Sequence, residues 1–521
     1  MKLRETLNLG LESAIKLINP KRAFERAHWR RMRDDVEYRD GVFALLRSQG
    51  YRAAKSGGNT TPFRGGTSSA DAELLGDLPT LRNRSRELNQ DDPIGSGLTG
   101  TFVRNIVGKG IRPRSRTGDK TKDTNLEAIW AERRNMLALA DNVGCAELQQ
   151  MWVRAFLQDG ETLPKRVKRS PGEPVWFETI EGDRLSSPGF KSVYKVGENE
   201  VRDGVEKDAW GVPVKYWIAK QHPGDLITAG KSNDPSSFDQ VLPDALRHWK
   251  CSHRPGQTRG EPMFHAIMQD LRDLDLLMLA ALKRVQIAAC LAAFITSNSS
   301  TTGFFPDGAL QQQTAEKYGF KLDQDIEPGM IFKLAQGDQI TTLVPNFPTP
   351  ELGPFIIMIA RRIGAALGVS WQVVLKDFSD STYSSARADL LESRMVYKMI
   401  RQSLIENVLR WVWQEVMVDA QLRGDERAAG VTLQDIASVD WFGDGWELID
   451  KQREYQANAV ALQSCQKTLE QVWLENGDDP DQMREALVDQ AKFLETIGMT
   501  ITFTPIPAGP EEQPRRALRA A

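Results

Sequence analysis

At 521 residues the chain is too long for one simple core, and its length predicts two to four structural units. A composition of 40% hydrophobic and 26% charged residues, with 13 Trp, is that of a folded protein and excludes wholesale disorder. The formal net charge of −3 excludes the strongly basic signature of a static nucleic-acid binder. It leaves room for DNA as a passenger, because a duplex that slides is better served by shallow electrostatic wells.

Cys145, Cys251, Cys290 and Cys465 are scattered with no disulfide-framework spacing, so a reducing compartment is expected. The opening Met1-Lys-Leu-Arg-Glu-Thr6 lacks the apolar core of a secretory signal. The longest apolar run, Ile287–Ile295, is far too short for a bilayer span. The expectation is a soluble, cytoplasmic protein with no membrane partner.

In chain order, residues 1–62 read as a charged arm and a Ser/Gly/Thr-rich linker. The basic run Arg22 to Arg33 could touch DNA or an acidic partner, but a solvated helix or arm explains it better. Residues 71–108 carry helical patterning that stops at Gly108-Lys-Gly110. That triplet is no phosphate loop, since it lacks the full Walker spacing and follows a helix. Helices are expected at Leu126–Leu139 and Cys145–Gln158, then strands at Val175–Ile180 and Val214–Ile218. Turns are expected at Asp159-Gly160, Gly182-Asp183, Asp203-Gly204 and Gly211-Val-Pro213. The charged residues of those turns, and of His222-Pro-Gly-Asp225, are read as turn chemistry and not as catalysts.

The polar segment Arg254-Pro-Gly-Gln-Thr-Arg-Gly260 leads into a long helix predicted from Pro262 to Thr296. Leu271, Leu274, Leu277 and Met278 form its apolar stripe, and Asp270, Asp273 and Asp275 give an acidic flank. A hairpin is expected from Gly329–Leu334 and Ile340–Val344, turning at Gln336-Gly-Asp338. A second helix, Glu351–Leu367, should pack on the first. A polar stretch then leads to a third, from about Ser385 to Asp419, with Ser384 or Ser385 as its cap. Residues 505–521 read as a disordered tail.

Candidate chemistry is sparse. His248-x-x-Cys251-x-His253 has no second ligand pair at zinc spacing. No Gly-x-Ser-x-Gly occurs, and the carboxylate pairs Asp273/Asp275 and Glu511/Glu512 are ordinary at this charge density. No catalytic residue, metal or cofactor is therefore assigned.

One ordered series stands out: Asn105-Ile-Val-Gly108, Gly182-Asp-Arg184, Trp210-Gly211, Arg254 to Gly260, and Tyr383-Ser-Ser-Ala-Arg387. Each motif is weak alone, but in combination, over most of residues 70–450, they resemble the lambda-type portal proteins of tailed bacteriophages. The chief departure is Lys451, where relatives commonly carry proline.

The resemblance implies an α+β portal fold. Residues 63–261 would form a wing, 262–296 a first stem helix, 297–347 a clip, 348–369 a second stem helix, and 370–384 a channel loop. Residues 385–430 would form a long wing helix and 431–504 a helical crown. It further implies a dodecameric ring at one capsid vertex, assembled in the host cytoplasm. Double-stranded DNA would occupy its channel, and its partners would be the terminase large subunit, head completion or adaptor proteins, and major capsid or scaffolding protein. The DNA-facing residues would be Trp371, Lys376, Asp377, Phe378, Ser381, Thr382, Tyr383 and Ser384, with Asp270, Asp273 and Asp275 as channel-face candidates on the first stem helix. The rival readings are a helical scaffold or adaptor that binds proteins only and, more distantly, a nuclease.

Overall fold

Local chemistry sets the helix boundaries. In a computed structural model that describes residues 68–140, 143–188, 193–225, 235–289, 293–297, 338–342, 352–379, 381–446 and 451–499, α1 runs Ala70–Asp91 and α2 runs Pro93–Ile106. The Asp92 carboxylate between them accepts hydrogen bonds from the Ile94 and Gly95 amides. Pro93 takes the first helical position, where its missing N–H is no loss. The chain divides at Ser69/Ala70, and every element described here belongs to Ala70–Ala521.

After α2 come β1 (Arg112–Ser115), α3 (Lys120–Arg133), α4 (Cys145–Asp159), β2 (Glu161–Val167) and β3 (Trp176–Ile180). A meander follows: β4 (Val193–Val196), β5 (Asn199–Arg202), β6 (Val205–Lys207), β7 (Pro213–Ala219) and β8 (Phe238–Val241). The short β9 (Trp249–Lys250) closes this part. Within two sheets the strands pair antiparallel: β4-β5-β6-β7-β8 make one, and β3-β2-β9 the second. Asp203-Gly204 joins β5 to β6 with both residues at positive φ, 43° and 85°, which is the turn hand a tight hairpin requires.

The remaining elements are α5 (Met268–Ala289), β10 (Ala293–Ser297), β11 (Asp338–Thr342), α6 (Leu352–Leu367), α7 (Trp371–Leu375) and α8 (Tyr383–Leu404). A π-helical turn (Ile405–Leu409) joins α8 to α9 (Arg410–Leu422). Then come α10 (Leu433–Ala437), β12 (Val439–Phe442), α11 (Lys451–Gln463), α12 (Leu469–Asn476) and α13 (Pro480–Thr496). β12 returns to pair with β1, which ties the C-terminal region to the first helices.

The main core gathers α2, α3, α4, α5, α6, α8 and α9 around Phe102, Leu126, Trp152, Leu271, Ile363, Leu404 and Trp413. Phe156 and Trp249 stack at 4.0 Å, joining α4 to β9. A smaller core of Leu163, Ile180, Leu185, Val205, Tyr216, Ile218, Val241 and Leu246 lies between the two sheets. The α+β class is as expected.

Several helix boundaries differ from the sequence reading. The helix expected to reach Leu139 ends at Arg133, because Leu137 and Leu139 exchange backbone hydrogen bonds with Phe177 of β3. The helix predicted for Pro262–Thr296 is Met268–Ala289, about 33 Å long at 1.5 Å per residue. Its expected start is a series of tight turns through Pro262 and Phe264. Its expected end, Ala293–Ser297, is a strand on Asp338–Thr342. An apolar run of that length fits strand and helix equally, and only the distant partner decides. The third helix starts at Tyr383, two residues early, and extends to Leu422 across its π turn. The arm 1–62, most of the clip (298–337 and 343–347), including Gly329–Leu334, and the tail 505–521 lie outside the described residues.

Candidate channel loop and its charged frame

The segment Ser370–Ser384 is half helix and half turn. Ser370 precedes α7, whose buried Gln372, Val373 and Val374 anchor it to the core. Trp371 lies beneath the Arg361 guanidinium at 5.8 Å. Lys376 ends α7 in a left-handed conformation (φ 59°), and its Nζ donates to Thr101 Oγ1 of α2 at 2.6 Å. Burial, then the nearby Arg104, lowers its pKa. Lys376 is thus engaged within the chain, and contact with phosphate requires it to leave Thr101.

Asp377, Phe378, Ser379 and Thr382 are exposed, and Ser381 is half-buried. Asp377 Oδ1 accepts from both the amide (3.0 Å) and the hydroxyl (2.6 Å) of Ser379, an Asx-type turn. Phe378 is 39% exposed, which leaves an aromatic face beside these hydroxyls. Gln372 Nε2 donates to Ser381 Oγ at 3.4 Å. The cap of α8 is Thr382, whose Oγ1 accepts from the Ser385 amide, in place of the expected Ser384 or Ser385. Ser384 Oγ lies 3.3 Å from Thr382 Oγ1, and Tyr383 is the first residue of the helix. Thr382→Ala is expected to cost about 1 kcal/mol, read as a lower thermal midpoint with an unchanged oligomer.

The three aspartates of α5 have separate surroundings. Asp270 pairs with Arg362 of α6 at 3.1 Å, clamping the two helices. Asp273 accepts from Gln269 at 2.9 Å, and Asp275 faces Arg272 at 3.8 Å on an exposed surface. They do not form one acidic row.

Sequence reasoning missed a buried ionic frame beneath β2. Glu161 is fully buried. Its Oε1 accepts from Arg82 Nη2 (2.6 Å) and Arg259 Nη2 (2.5 Å), and its Oε2 from the Gly260 amide (2.9 Å) and His248 Nε2 (2.9 Å). Arg259 also reaches the carbonyls of Leu185 and Gly182 and the carboxylate of Asp203. Arg86 holds Asp159 and Asp183 together. Burial alone would raise the Glu161 pKa, but Arg259, Arg82 and His248 outweigh it and hold the carboxyl well below its ordinary range. Burial lowers the His248 pKa despite Glu161, so the imidazole is neutral and donates its Nε2 proton. His248 is therefore withdrawn from Cys251 and His253. Gly182-Asp-Arg184 and Arg254 to Gly260 are the two sides of this frame. Asp183 is a partner of Arg82 and Arg86, and Arg259 of Glu161 and Asp203, pairings that only long-range contacts could have revealed.

A second junction explains Asn105-Ile-Val-Gly108. Arg401 of α8 donates to the carbonyls of Ile106 (2.6 Å) and Asn105 (2.8 Å), capping the end of α2, and lies over the Trp446 ring at 5.0 Å. Trp446 Nε1 donates to Asn105 Oδ1 at 2.9 Å. A cleft of about 1200 Å³ opens between α8 and residues 439–476, with Arg114, Arg387, Arg394 and Lys398 among its lining.

Among known proteins, the chain is 22% identical over 516 residues to portal protein B of Escherichia phage lambda, covering 87% of this chain and 92% of the relative. It is 24% identical over 458 residues to a protein of Halomonas phage phiHAP-1 described as a probable portal protein, with 85% of each chain covered. A chain from the neck of an empty gene transfer agent particle aligns over 78% of this chain and 94% of its own length, with 15% identity and a TM-score of 0.45. The model of the family described as phage portal protein, lambda family, matches residues 56–401, more than half of the sequence, and the chain belongs to that family.

Proposed function

We propose that copies of this chain close into a dodecameric ring at one capsid vertex, and that the ring is the channel for packaging and ejection of double-stranded DNA. In this reading it docks the terminase large subunit during filling and head completion or adaptor proteins afterwards, and contacts major capsid or scaffolding protein around its rim. It is assembled in the host cytoplasm and retained in the virion. Family membership carries the proposal.

One structural feature supports it. Among the described residues, the second half of α5 exposes Met278, Leu279, Leu282 and Val285, and α6 exposes Phe355 and Met358. Such a run on a rod is costly in water unless another chain covers it, and a heterologous closing interface would do so. The tip Asp377–Thr382 offers hydroxyls and one aromatic ring, groups that make weak, exchangeable contacts with a moving backbone.

Electron microscopy of the purified protein tests the ring: annular particles with a central hole are expected, and a compact monomer or dimer leaves the protein-only adaptor standing. Replacing Asp377–Ser381 by a Gly/Ser stretch while keeping the Thr382 cap tests the loop. Rings should persist while packaged DNA per particle falls several-fold, and normal packaging would remove the loop from the mechanism.

A further inference from the structure

The turns that launch α5 bring together three side chains that no assigned role uses. His253 Nε2 lies 3.5 Å from Glu261 Oε1, and the ligating atoms of His253, Glu261 and His265 all fall within 4.8 Å of one another. This is the one such group among the described residues. Two donors bound tetrahedrally to zinc at its usual bond lengths are separated by about 3.3–3.6 Å. The His253–Glu261 pair already has that spacing. The two imidazole rings are 5.6 Å apart, tilted by 55°.

The surroundings prepare these groups for a cation. His265 Nδ1 sits 3.0 Å from the Pro262 carbonyl, which can only accept, so Nδ1 carries the proton and Nε2 keeps its lone pair. Backbone carbonyls commonly orient metal-binding histidines in this way. The loop carrying His253 is held by Gln257, whose Oε1 accepts from the His253 (3.0 Å) and Arg254 (3.3 Å) amides and whose Nε2 donates to the Arg259 carbonyl (3.0 Å). Glu261 is fixed by its own amide, which donates to the Cys251 carbonyl at 3.2 Å. Two ligands thus sit on a fixed frame, while His253, with a side chain 56% exposed, is free to close on an ion. The Cys251 thiol, 3.6 Å from His253 Nε2, stands outside the three-residue set.

We propose that His253, Glu261 and His265 form a zinc-class divalent metal site that pins the loop after β9 to the turns preceding α5. Two imidazoles and one carboxylate favour zinc over magnesium or calcium, which take oxygen donors. The fourth position faces solvent beside the exposed His253. The sequence cluster His248, Cys251 and His253 was set aside as a metal site for want of a second ligand pair. The fold brings only its His253 to the group, and Glu261 and His265 complete it.

The test uses full-length protein stripped of metal and titrated with Zn²⁺ by calorimetry and with Co²⁺ by visible absorption. One ion per chain is expected, with a higher thermal midpoint when zinc is bound. His253→Ala, at an exposed position where folding is not at stake, should weaken binding at least tenfold and abolish the midpoint shift, and His265→Ala should do the same. His222→Ala, outside the site, should bind as the parent does. Absence of zinc binding at micromolar concentration, or unchanged stoichiometry in the His253→Ala/His265→Ala double variant, overturns the proposal.

Discussion

Glu161→Gln is expected to destabilise the fold by roughly 3–5 kcal/mol, the usual cost of breaking a buried ion pair from one side. The charges of Arg82 and Arg259, 4% and 1% exposed, would lose their shared counter-ion, and the new amide would turn a donor either toward both guanidiniums or toward the Gly260 amide and His248. Chemical denaturation at neutral pH should show a lower midpoint, and a loss below about 1 kcal/mol would mean that Asp183 and Asp203 alone hold the two arginines.

The same frame sets an acid response, in two stages. His248 is pushed down in the folded state, so the unfolded chain takes up a proton first, near its ordinary value of about 6.5. Stability therefore falls as pH drops below that value. Glu161 is held well below its ordinary value of about 4.3, so its contribution is full above that pH and is lost as pH falls through the folded value. Unfolding midpoints measured at pH 7.5 and 5.5 should decrease on acidification. His248→Gln should flatten that difference, and an unchanged slope would show that the imidazole is not the group responsible.

What sequence could and could not reveal follows from range. The Gly108 stop and the Asp203-Gly204 turn are local, decided by a few adjacent residues, and were readable as a helix end and a turn. The partners of Arg82 lie 77 to 101 residues away, and Lys376 meets Thr101 across 275. No periodicity encodes such pairings. The end of α5 failed for the same reason, since Ala293–Ser297 is strand only because Asp338–Thr342 lies beside it. The segment Ser370–Ser384 was legible as a polar approach to a long helix, but not as the α7 turn that buries Val373 and Val374 and leaves only a short tip exposed. The competition between Thr382, Ser384 and Ser385 for the cap was a choice among neighbours with equal chemistry, settled by which residue had extended backbone.

The two halves of α5 should respond oppositely to one substitution. Leu274 is 1% exposed against the main core beside Leu271, so Leu274→Asp removes a packed side chain and buries an unpaired carboxylate. The packing loss alone is about 2–5 kcal/mol, and the charge adds to it. The variant should unfold at markedly lower denaturant, or fail to accumulate as folded protein, before any question of assembly arises. Leu282, two turns further along and 54% exposed, touches little within its own chain. Leu282→Asp should therefore leave circular dichroism and the thermal midpoint of the isolated chain near those of the parent. If a neighbouring copy covers this stretch, the same substitution should abolish or shift the ring on sizing and in micrographs. A Leu282→Asp protein that still forms normal rings would mean that the apolar end of α5 faces something other than its neighbour, whereas loss of the fold in both variants would place Leu282 in a core that a single chain does not display.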